Sequence, residues 1–492
     1  MDNDTLYERL GLPRDASLDE IRHAYREMAH RLHPDKNRRL GETELFIGVQ
    51  EAYDVLIDPN QKKNYDSTLS SEPQALLPLA TSIIYSRDTL TNMPEPQLVY
   101  AMLEFKARIG EDALPTPPLN ICLVLDCSTS MHGIRLDTVK MTAFELIRQL
   151  HADDILSVVK FSDKAEVIIP AGSLLNQEEI RGKIQLLHAA GGTEIYQGLQ
   201  AGFSEVMRYH SKDRINHVIL ITDGRTYGDE DECLKLVGLA NLSGVGISAL
   251  GIGGQWNDSF LDIIASRTGG SSRFVSHTED LKRFLLDKIS RLGHSFSEQV
   301  TYTFQTPPGI KLNYAFRIQP EISPLQTDSP LVIGNVPRNS KLSLIVEFLV
   351  SEVPSGSQRM TLAKGYVSYE IPGRSERQKF TERLEIERPL SEEFDVTAPP
   401  PVIIQAMSRL TLYRMQERAR VDLEEGNMDE ATRRLQGLAT HLLAQGQNEL
   451  ARSVLGEVVH IQQNQAFSEE GEKRIKYGTR ALLLPAGPEV MR

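Results

Sequence analysis

The first seventy residues contain two stretches in which apolar side chains recur at helical spacing. Ser17 and Glu20 have the spacing of a capping box and predict the start of the first helix, and Pro34 predicts its end. The pattern therefore predicts a helical hairpin with His33, Pro34 and Asp35 at its tip. The apolar positions are Ile21, Ala24, Tyr25, Met28 and Leu32 in the first stretch and Phe46, Val49, Ala52, Tyr53 and Leu56 in the second.

After residue 118 the pattern changes to short apolar runs separated by amphipathic segments of helical length. Such runs are typical of strands buried on both faces of a sheet, and their alternation with helices predicts an α/β domain with a doubly wound parallel sheet. Ligands of these sheets collect at the carboxyl ends of the strands. The predicted strands are 119–126, 155–162, 215–222 and 245–253, and a helix is expected over 134–150.

Alternating apolar and polar residues predict strands on both sides of the α/β segment. One strand is expected within 96–110, and several more, divided by Pro, Gly and Ser, lie between 296 and 390. Because these strands flank the α/β segment, we expect 81–116 and 294–396 to pair into one β-sandwich beside it. Residues 69–80 are expected to form a linker.

The chain continues in helix-forming sequence after a stiff, proline-rich segment. Residues 425–447 resemble a tetratricopeptide helix pair, but no second copy follows at a fixed period. A docking element and a simple stack of helices therefore both stay open. The expected helices are 402–425, 428–445 and 447–463, within a helical region 402–483 that is followed by a disordered tail at 484–492.

Composition narrows the class of protein. A length of 492 residues predicts two to four domains, and a net charge of −13 disfavours binding to nucleic acid or anionic membranes. Cys122, Cys127 and Cys233 show no zinc or disulfide spacing, which favours a reducing compartment. The amino terminus lacks an apolar signal segment, and no run approaches the roughly 20 apolar residues of a membrane span. We expect a cytoplasmic protein without membrane insertion.

Oxygen-bearing side chains follow the predicted strands of the α/β segment. Asp126, Ser128 and Ser130 have a D-x-S-x-S spacing, Thr193 follows two glycines, and Asp223 ends another strand. Carboxylates and hydroxyls without His or thiolate suit a hard divalent cation such as Mg²⁺, with Mn²⁺ or Ca²⁺ as alternatives. Taken singly, Thr193 also fits a helix cap and Asp223 a turn, so the prediction depends on the whole set.

Sequence signals for catalysis are weak. No phosphate-binding P-loop pattern is present, and LGIGG at 250–254 is too loose for a dinucleotide fingerprint. Glu194 is the one candidate for a general base beside the predicted cation, and a solvent-exposed position explains it as well. Cys127 is expected to be a small buried residue. We therefore predict no catalytic residues and no enzyme activity.

Residues 4–67 resemble a J-domain, the module shared by DnaJ-like co-chaperones, both around the HPD triplet and at the segment AYDVLIDP. The resemblance implies a small all-α domain over 1–68 that docks on a DnaK-type chaperone ATPase and stimulates its ATP hydrolysis. Glu27 departs from the family because a basic residue often stands there. The glycine/phenylalanine-rich linker and zinc module of a general DnaJ do not follow. The implied contact residues are His33, Pro34 and Asp35 of the loop and Arg22, Arg26 and Arg31 of the preceding helix.

Residues 117–293 resemble a von Willebrand factor A domain with a metal-ion-dependent adhesion site. The resemblance implies that the cation is held, directly or through water, by Asp126, Ser128, Ser130, Thr193 and Asp223. It also implies that the cation binds a carboxylate of a protein partner. The flanking strands resemble the arrangement in heavy chains of inter-alpha-trypsin inhibitor, which supports the β-sandwich prediction.

These features together predict a multidomain co-chaperone that recruits a DnaK-type ATPase through its J-domain and a client or partner through a metal-dependent domain. The alternative is a scaffold or adaptor subunit of an AAA+ or chelatase-type complex in which the J-domain is auxiliary. The partner itself cannot be inferred from the sequence.

Overall fold

The computed structural model of the chain describes residues 6–12, 16–32, 42–68, 78–108, 116–173, 176–225, 228–276, 278–353, 357–372, 378–393, 395 and 397–483. The expected hairpin tip at 33–35, residues 69–77 of the expected linker and the expected tail at 484–492 lie outside these ranges. The predicted multidomain class is confirmed: a small helical domain, an α/β domain, a β-sandwich and a C-terminal helical region are all present.

The elements of the described residues are numbered in chain order. The helices are α1 (Leu6–Arg9), α2 (Leu18–Leu32), α3 (Glu42–Leu56), α4 (Pro59–Thr68), α5 (Ile134–Ile147), α6 (Gln177–Gln185), α7 (Ile195–Arg208), α8 (Glu230–Leu242), α9 (Asp258–Arg267), α10 (Thr278–Gly293), α11 (Pro401–Glu424), α12 (Met428–Ala444), α13 (Asn448–Asn464) and α14 (Glu469–Ala481). The strands are β1 (Leu79–Tyr85), β2 (Leu90–Thr91), β3 (Gln97–Ala107), β4 (Leu119–Asp126), β5 (Ile155–Phe161), β6 (Ala165–Ser173), β7 (Ile215–Thr222), β8 (Gly246–Ile252), β9 (Ser272–Val275), β10 (Ser295–Gln305), β11 (Ile310–Gln319), β12 (Ser323–Pro324), β13 (Leu331–Pro337), β14 (Lys341–Val350), β15 (Arg359–Ile371) and β16 (Gln378–Ser391).

The N-terminal helices contain the predicted capping box. The Ser17 backbone N–H donates to the Glu20 carboxylate at 2.7 Å, and the Glu20 N–H donates to the Ser17 hydroxyl at 3.3 Å. Helices α2 and α3 pack together, and Tyr25 stacks on Tyr53 with ring centroids 4.0 Å apart. The sequence pattern predicted these two helices but not α1 and α4. Helix α4 is too polar for a periodic signal, and its Tyr65 hydroxyl accepts a hydrogen bond from the first backbone N–H of α1 at 2.8 Å.

The strands on either side of the α/β segment form the predicted β-sandwich. One sheet has the order β1-β3-β14-β11-β12 and the other β13-β10-β15-β16-β2. Strand β3 pairs antiparallel with β14, from Gln97 opposite Val350 to Lys106 opposite Lys341. The inner faces of both sheets share one apolar core. The α/β domain is therefore inserted into the chain of the sandwich, between β3 and β10.

The α/β domain has a six-stranded sheet in the order β6-β5-β4-β7-β8-β9. Helices α5, α6 and α10 cover one face, and α7, α8 and α9 cover the other, as a doubly wound fold requires. The four predicted strands, β4, β5, β7 and β8, are parallel, whereas the edge strand β6, which was not predicted, is antiparallel to β5. Only residues 162–164 join these two strands, which is too short for the crossover that a parallel pair needs.

The C-terminal helices pack on both other large domains. Helix α11 lies on the outer face of one sandwich sheet, where Ile403 and Leu410 contact Phe316 and Ile345. Helix α14, within the predicted helical region but not predicted as an element, packs against α11, α13 and β9. Within the described residues, no helix combines the length and apolar character that crossing a membrane requires.

Candidate functional site

The predicted chaperone contact is only partly described. Arg22 and Arg26 lie on α2 with exposed side chains, and Arg22 pairs with Asp19 at 3.0 Å. The side chains of Glu27 and Arg31, and all of His33, Pro34 and Asp35, lie outside the described residues. Elsewhere on α2, Glu20 faces Arg383 of the β-sandwich at 3.7 Å. The described arginines therefore remain exposed although the same helix contacts the sandwich.

Most of the predicted metal ligands lie at or just after the carboxyl ends of parallel strands. Asp126 is the last residue of β4, and Ser128 and Ser130 belong to the loop and 3-10 turn that come next. Asp223 comes directly after β7, and Thr193 lies two residues before α7. Because β4 and β7 are parallel neighbours, their carboxyl ends meet at one edge of the sheet.

Hydrogen bonds connect four of the five predicted ligands. The Ser128 backbone N–H donates to Asp126 Oδ1 at 2.8 Å, and the hydroxyls of Ser128 and Ser130 are 3.0 Å apart. The Ser130 hydroxyl donates to Asp223 Oδ1 at 2.7 Å. Thr193 lies beside this group. A Cβ atom built on Gly224, the residue after Asp223, would be only 2.7 Å from Thr193 Oγ1. The structure thus brings all five side chains to one place.

The glycine loop before Thr193 is held by residues that sequence reasoning missed. Asp163 Oδ1 accepts a hydrogen bond from the Gly192 N–H at 2.7 Å. Both the N–H and the hydroxyl of Thr129 donate to the Gly191 carbonyl, each at 3.0 Å. Gly191 has φ +85°, and a Cβ there would lie 2.5 Å from Asp163 Oδ2, so the loop needs glycine at this position. The two glycines were the signal in the sequence, but nothing in it pointed to Asp163.

Asp126 and Asp223 are fully buried carboxylates with different partners. Among the described residues, the hydrogen-bond donors to Asp126 are neutral: the Ser128 backbone N–H and the Thr222 hydroxyl, the latter at 2.6 Å. Burial raises the pKa of Asp126 above its ordinary value, and the negative charge of Asp223 acts in the same direction. Asp223 forms an ion pair with the Arg135 guanidinium. Sequence reasoning missed both Thr222 and Arg135, because neither stands out from its strand or helix pattern.

The donor set fits a hard divalent cation. Its side chains offer two carboxylates and three hydroxyls, which are the ligands that Mg²⁺, Mn²⁺ and Ca²⁺ favour. In the described part of the chain, no group of three or more His, Cys, Asp or Glu side chains is placed to hold a metal ion, so a metal site here would depend on hydroxyl oxygens as well. The guanidinium on Asp223 shows that a cation can lie against this carboxylate.

Cys127 lies inside the ligand loop but does not fit a ligand. Its side chain is buried, and the thiol is free. Burial raises the pKa of Cys127 to about 12, so the thiol stays protonated near neutral pH. The interpretation of Cys127 as a small buried residue agrees with this environment.

Comparison with protein families assigns the parts of the chain. The DnaJ domain family matches residues 5–66, and the von Willebrand factor type A (VWA) family matches 120–290. The chain carries a DnaJ domain and a VWA domain. The resemblances to a J-domain and to a von Willebrand factor A domain are therefore confirmed at the level of the domains. The helical region matches a third family, the Sll0103-like, C-terminal alpha-helical domain, over 401–485.

Related proteins match different shares of the chain. The Synechocystis sp. protein sll0103 is 28% identical over 387 residues, which cover 75% of this chain and 89% of that protein. The chaperone protein DnaJ of Streptococcus agalactiae is 47% identical over 66 residues, 13% of this chain and 18% of the chaperone. The DnaJ chaperone of Staphylococcus carnosus is 47% identical over 68 residues, 14% of this chain and 18% of its own length. The likeness to these chaperones therefore concerns the DnaJ domain alone.

Two solved structures share the fold over most of the chain. A von Willebrand factor type A protein from Catenulispora acidiphila has a TM-score of 0.63 at 15% identity, with 82% of this chain and 96% of that chain covered. The ArnB paralog VWA2 from Sulfolobus acidocaldarius has a TM-score of 0.52 at 16% identity, with 83% and 100% covered. The VWA domain and its surroundings therefore form an architecture found in other proteins.

Proposed function

We propose that this protein is a co-chaperone that recruits and stimulates a DnaK-type ATPase through its DnaJ domain and binds a protein partner through its VWA domain. The observation that carries the proposal is the pairing of two features in one chain. A DnaJ domain stands at one end. In the VWA domain, Asp126, Ser128, Ser130 and Asp223 form a hydrogen-bonded chain of carboxylate and hydroxyl side chains.

In the VWA domain, we assign the cation ligands to Asp126, Ser128, Ser130, Thr193 and Asp223. When bound, a divalent cation such as Mg²⁺, Mn²⁺ or Ca²⁺ supplies a positive centre that can accept a carboxylate from a partner protein. The chain's own residues prepare this position. Thr222 and Ser128 orient Asp126, and Asp163 holds the glycine loop that presents Thr193.

In the DnaJ domain, we assign the chaperone contact to one loop and one helix face. The exposed Arg22 and Arg26 support this assignment, because surface cations steer association with an acidic partner. The absence of enzyme activity and the cytoplasmic location are part of the proposal. Three cysteines that are free and buried agree with a reducing compartment. The assigned residues are His33, Pro34 and Asp35 of the loop and Arg22, Arg26 and Arg31 of the helix.

ATP hydrolysis by a DnaK-type chaperone tests the DnaJ assignment. We expect the full-length protein to increase the steady-state rate several-fold and the His33→Gln variant to lose the increase, because the substitution alters the loop that contacts the ATPase. His151→Gln is the matched control, because His151 is exposed in a loop of the VWA domain. Equal stimulation by wild type and His33→Gln would contradict the assignment.

Calorimetric titration with Mg²⁺ or Mn²⁺ tests the VWA assignment. We expect the heat of binding to disappear in Asp126→Ala, because this removes a carboxylate ligand. We expect Ser130→Ala to weaken binding by about tenfold, since one ligand and its hydrogen bond are lost. Because Ser130 is exposed, we expect Ser130→Ala to keep the fold, so this variant tests the site even if the buried substitution Asp126→Ala unfolds the domain. Asp153→Ala, an exposed carboxylate in another loop, is the control. Unchanged affinity in Ser130→Ala and unchanged heats in a folded Asp126→Ala variant argue against the site.

A further inference from the structure

Arg135 connects two parts of the candidate metal site. It lies in the first turn of α5, and its guanidinium forms an ion pair with Asp223 Oδ2. The same guanidinium donates to the Ser130 carbonyl at 3.3 Å. Asp223 has a side chain that is 0% exposed, whereas the Arg135 side chain is 39% exposed. A partly exposed arginine therefore places its charge on a fully buried carboxylate of the proposed ligand set.

The charges of the site do not balance. Asp126 and Asp223 contribute two buried carboxylates, and Arg135 is the cation paired with either of them in the described part of the chain. A divalent cation would balance both carboxylates, but Arg135 already contacts Asp223.

Gly253, which follows β8, leaves room for the arginine. It has φ +68°, and a Cβ at this position would lie 3.0 Å from the Arg135 guanidinium. A larger residue would be strained in this backbone conformation and crowd the guanidinium. The loop thus leaves space beside the guanidinium.

We propose that Arg135 is a built-in counter-ion of Asp223 that must leave this carboxylate before a divalent cation binds. This inference rests on the proposed metal site and adds a regulatory step to it. Binding of the divalent cation is then an exchange of one cation for another. The exchange lowers the apparent metal affinity, because the charge-assisted hydrogen bond of Arg135 is lost in the same step.

Calorimetric titration of the full-length protein with MgCl₂ and with MnCl₂ tests the exchange. We expect Arg135→Gln to bind either cation about tenfold more tightly than wild type, which is the order of one lost charge-assisted hydrogen bond. Arg135→Lys keeps the charge without the planar fork and should fall between the two. Arg148→Gln is the control, because Arg148 lies at the opposite end of α5 from Arg135 and its side chain is 75% exposed. A thermal unfolding scan at saturating Mg²⁺ gives a second readout of the same affinities.

The outcomes separate this inference from the metal site itself. Binding by Arg135→Gln that is equal to or weaker than that of wild type overturns the exchange and identifies Arg135 as a brace between the loops. Tight binding by Arg135→Gln when wild type binds weakly or not at all supports it. If neither protein binds Mg²⁺ or Mn²⁺ and Ser130→Ala also has no effect, the metal site is refuted and the exchange with it.

Discussion

Buried carboxylates are stabilised in two different ways in this molecule. Asp126 is held by neutral donors, and burial raises its pKa. Asp262 in α9 is also buried, and burial acts to raise its pKa. The cations of Arg480 and Lys476 outweigh that effect and hold the pKa of Asp262 well below its ordinary value. The Asp262 carboxylate lies 2.6 Å from the Arg480 guanidinium and 2.9 Å from the Lys476 ammonium. The first carboxylate suits an incoming cation, whereas the second already has its cations.

The buried ion cluster at Asp262 gives a prediction for stability. We expect Asp262→Asn to lower the free energy of unfolding at the junction of α9 and α14 by about 3 kcal/mol, because two buried cations lose a charged partner. Trp256 is the only tryptophan of the chain, and its ring lies 5.8 Å from that of Tyr477 in α14. Urea unfolding followed by tryptophan fluorescence therefore reports on this junction.

Controls for the Asp262 prediction come from the surface and from pH. Glu430→Ala removes an exposed ion pair with Arg433. It should change the free energy of unfolding obtained from the fluorescence transition by no more than about 1 kcal/mol. Since the pKa of Asp262 is lower in the folded state, its contribution is complete above the unfolded pKa near ~4 and is lost as the pH falls below that value. The difference between wild type and Asp262→Asn should therefore shrink below pH ~4. A constant difference down to pH ~2 would show that charge pairing is not the cause.

At the scale of elements, helix α2 depends on its first turn. Ser17 and Glu20 satisfy each other's backbone N–H groups there. We expect Ser17→Ala to cost about 1 kcal/mol and to speed amide exchange in the first turn of α2 roughly fivefold, because the cap hydroxyl is lost. Ser17→Thr retains the hydroxyl and should restore most of the protection. Hydrogen exchange with mass spectrometry measures both variants, and equal exchange in Ser17→Ala and wild type would rule out the cap as a source of stability.

Periodicity located most elements of the VWA domain and the sandwich. Strands β4 and β7 were predicted with the bounds that the structure has, because each is a mainly apolar run between polar segments. Strand β6 was not predicted, because it lies at a sheet edge and exposes residues such as Glu166 and Val167. Helix α14 was not predicted as an element, because its buried positions include Lys473, Lys476 and Arg480. Charged residues that become buried through ion pairs give no hydrophobic signal.

At the scale of the whole molecule, the domains contact one another. The VWA domain is inserted between two parts of the sandwich. Tyr366 of β15 lies in the apolar cluster of the DnaJ domain. Helix α14 reaches the VWA domain, where Lys473 donates to the Gly254 carbonyl, next to the glycine that leaves room for Arg135. The sequence predicted the domains and their order. It predicted the insertion of the VWA domain from the flanking strands, but it contained no sign of the contacts of Tyr366 and Lys473, because each joins residues more than a hundred positions apart in the chain.

The amino-acid sequence alone was sufficient to predict the kinds of domain and the candidate ligands, because local patterns encode them. Apolar spacing predicts helices and strands, and the D-x-S-x-S spacing with Thr193 and Asp223 predicts the candidate ligands within the region that matches the VWA family. Only the folded chain shows the roles of Thr222, Asp163 and Arg135. Their partners come from strands and loops that meet after folding, so the electrostatics of the site depend on tertiary contacts that no local pattern contains.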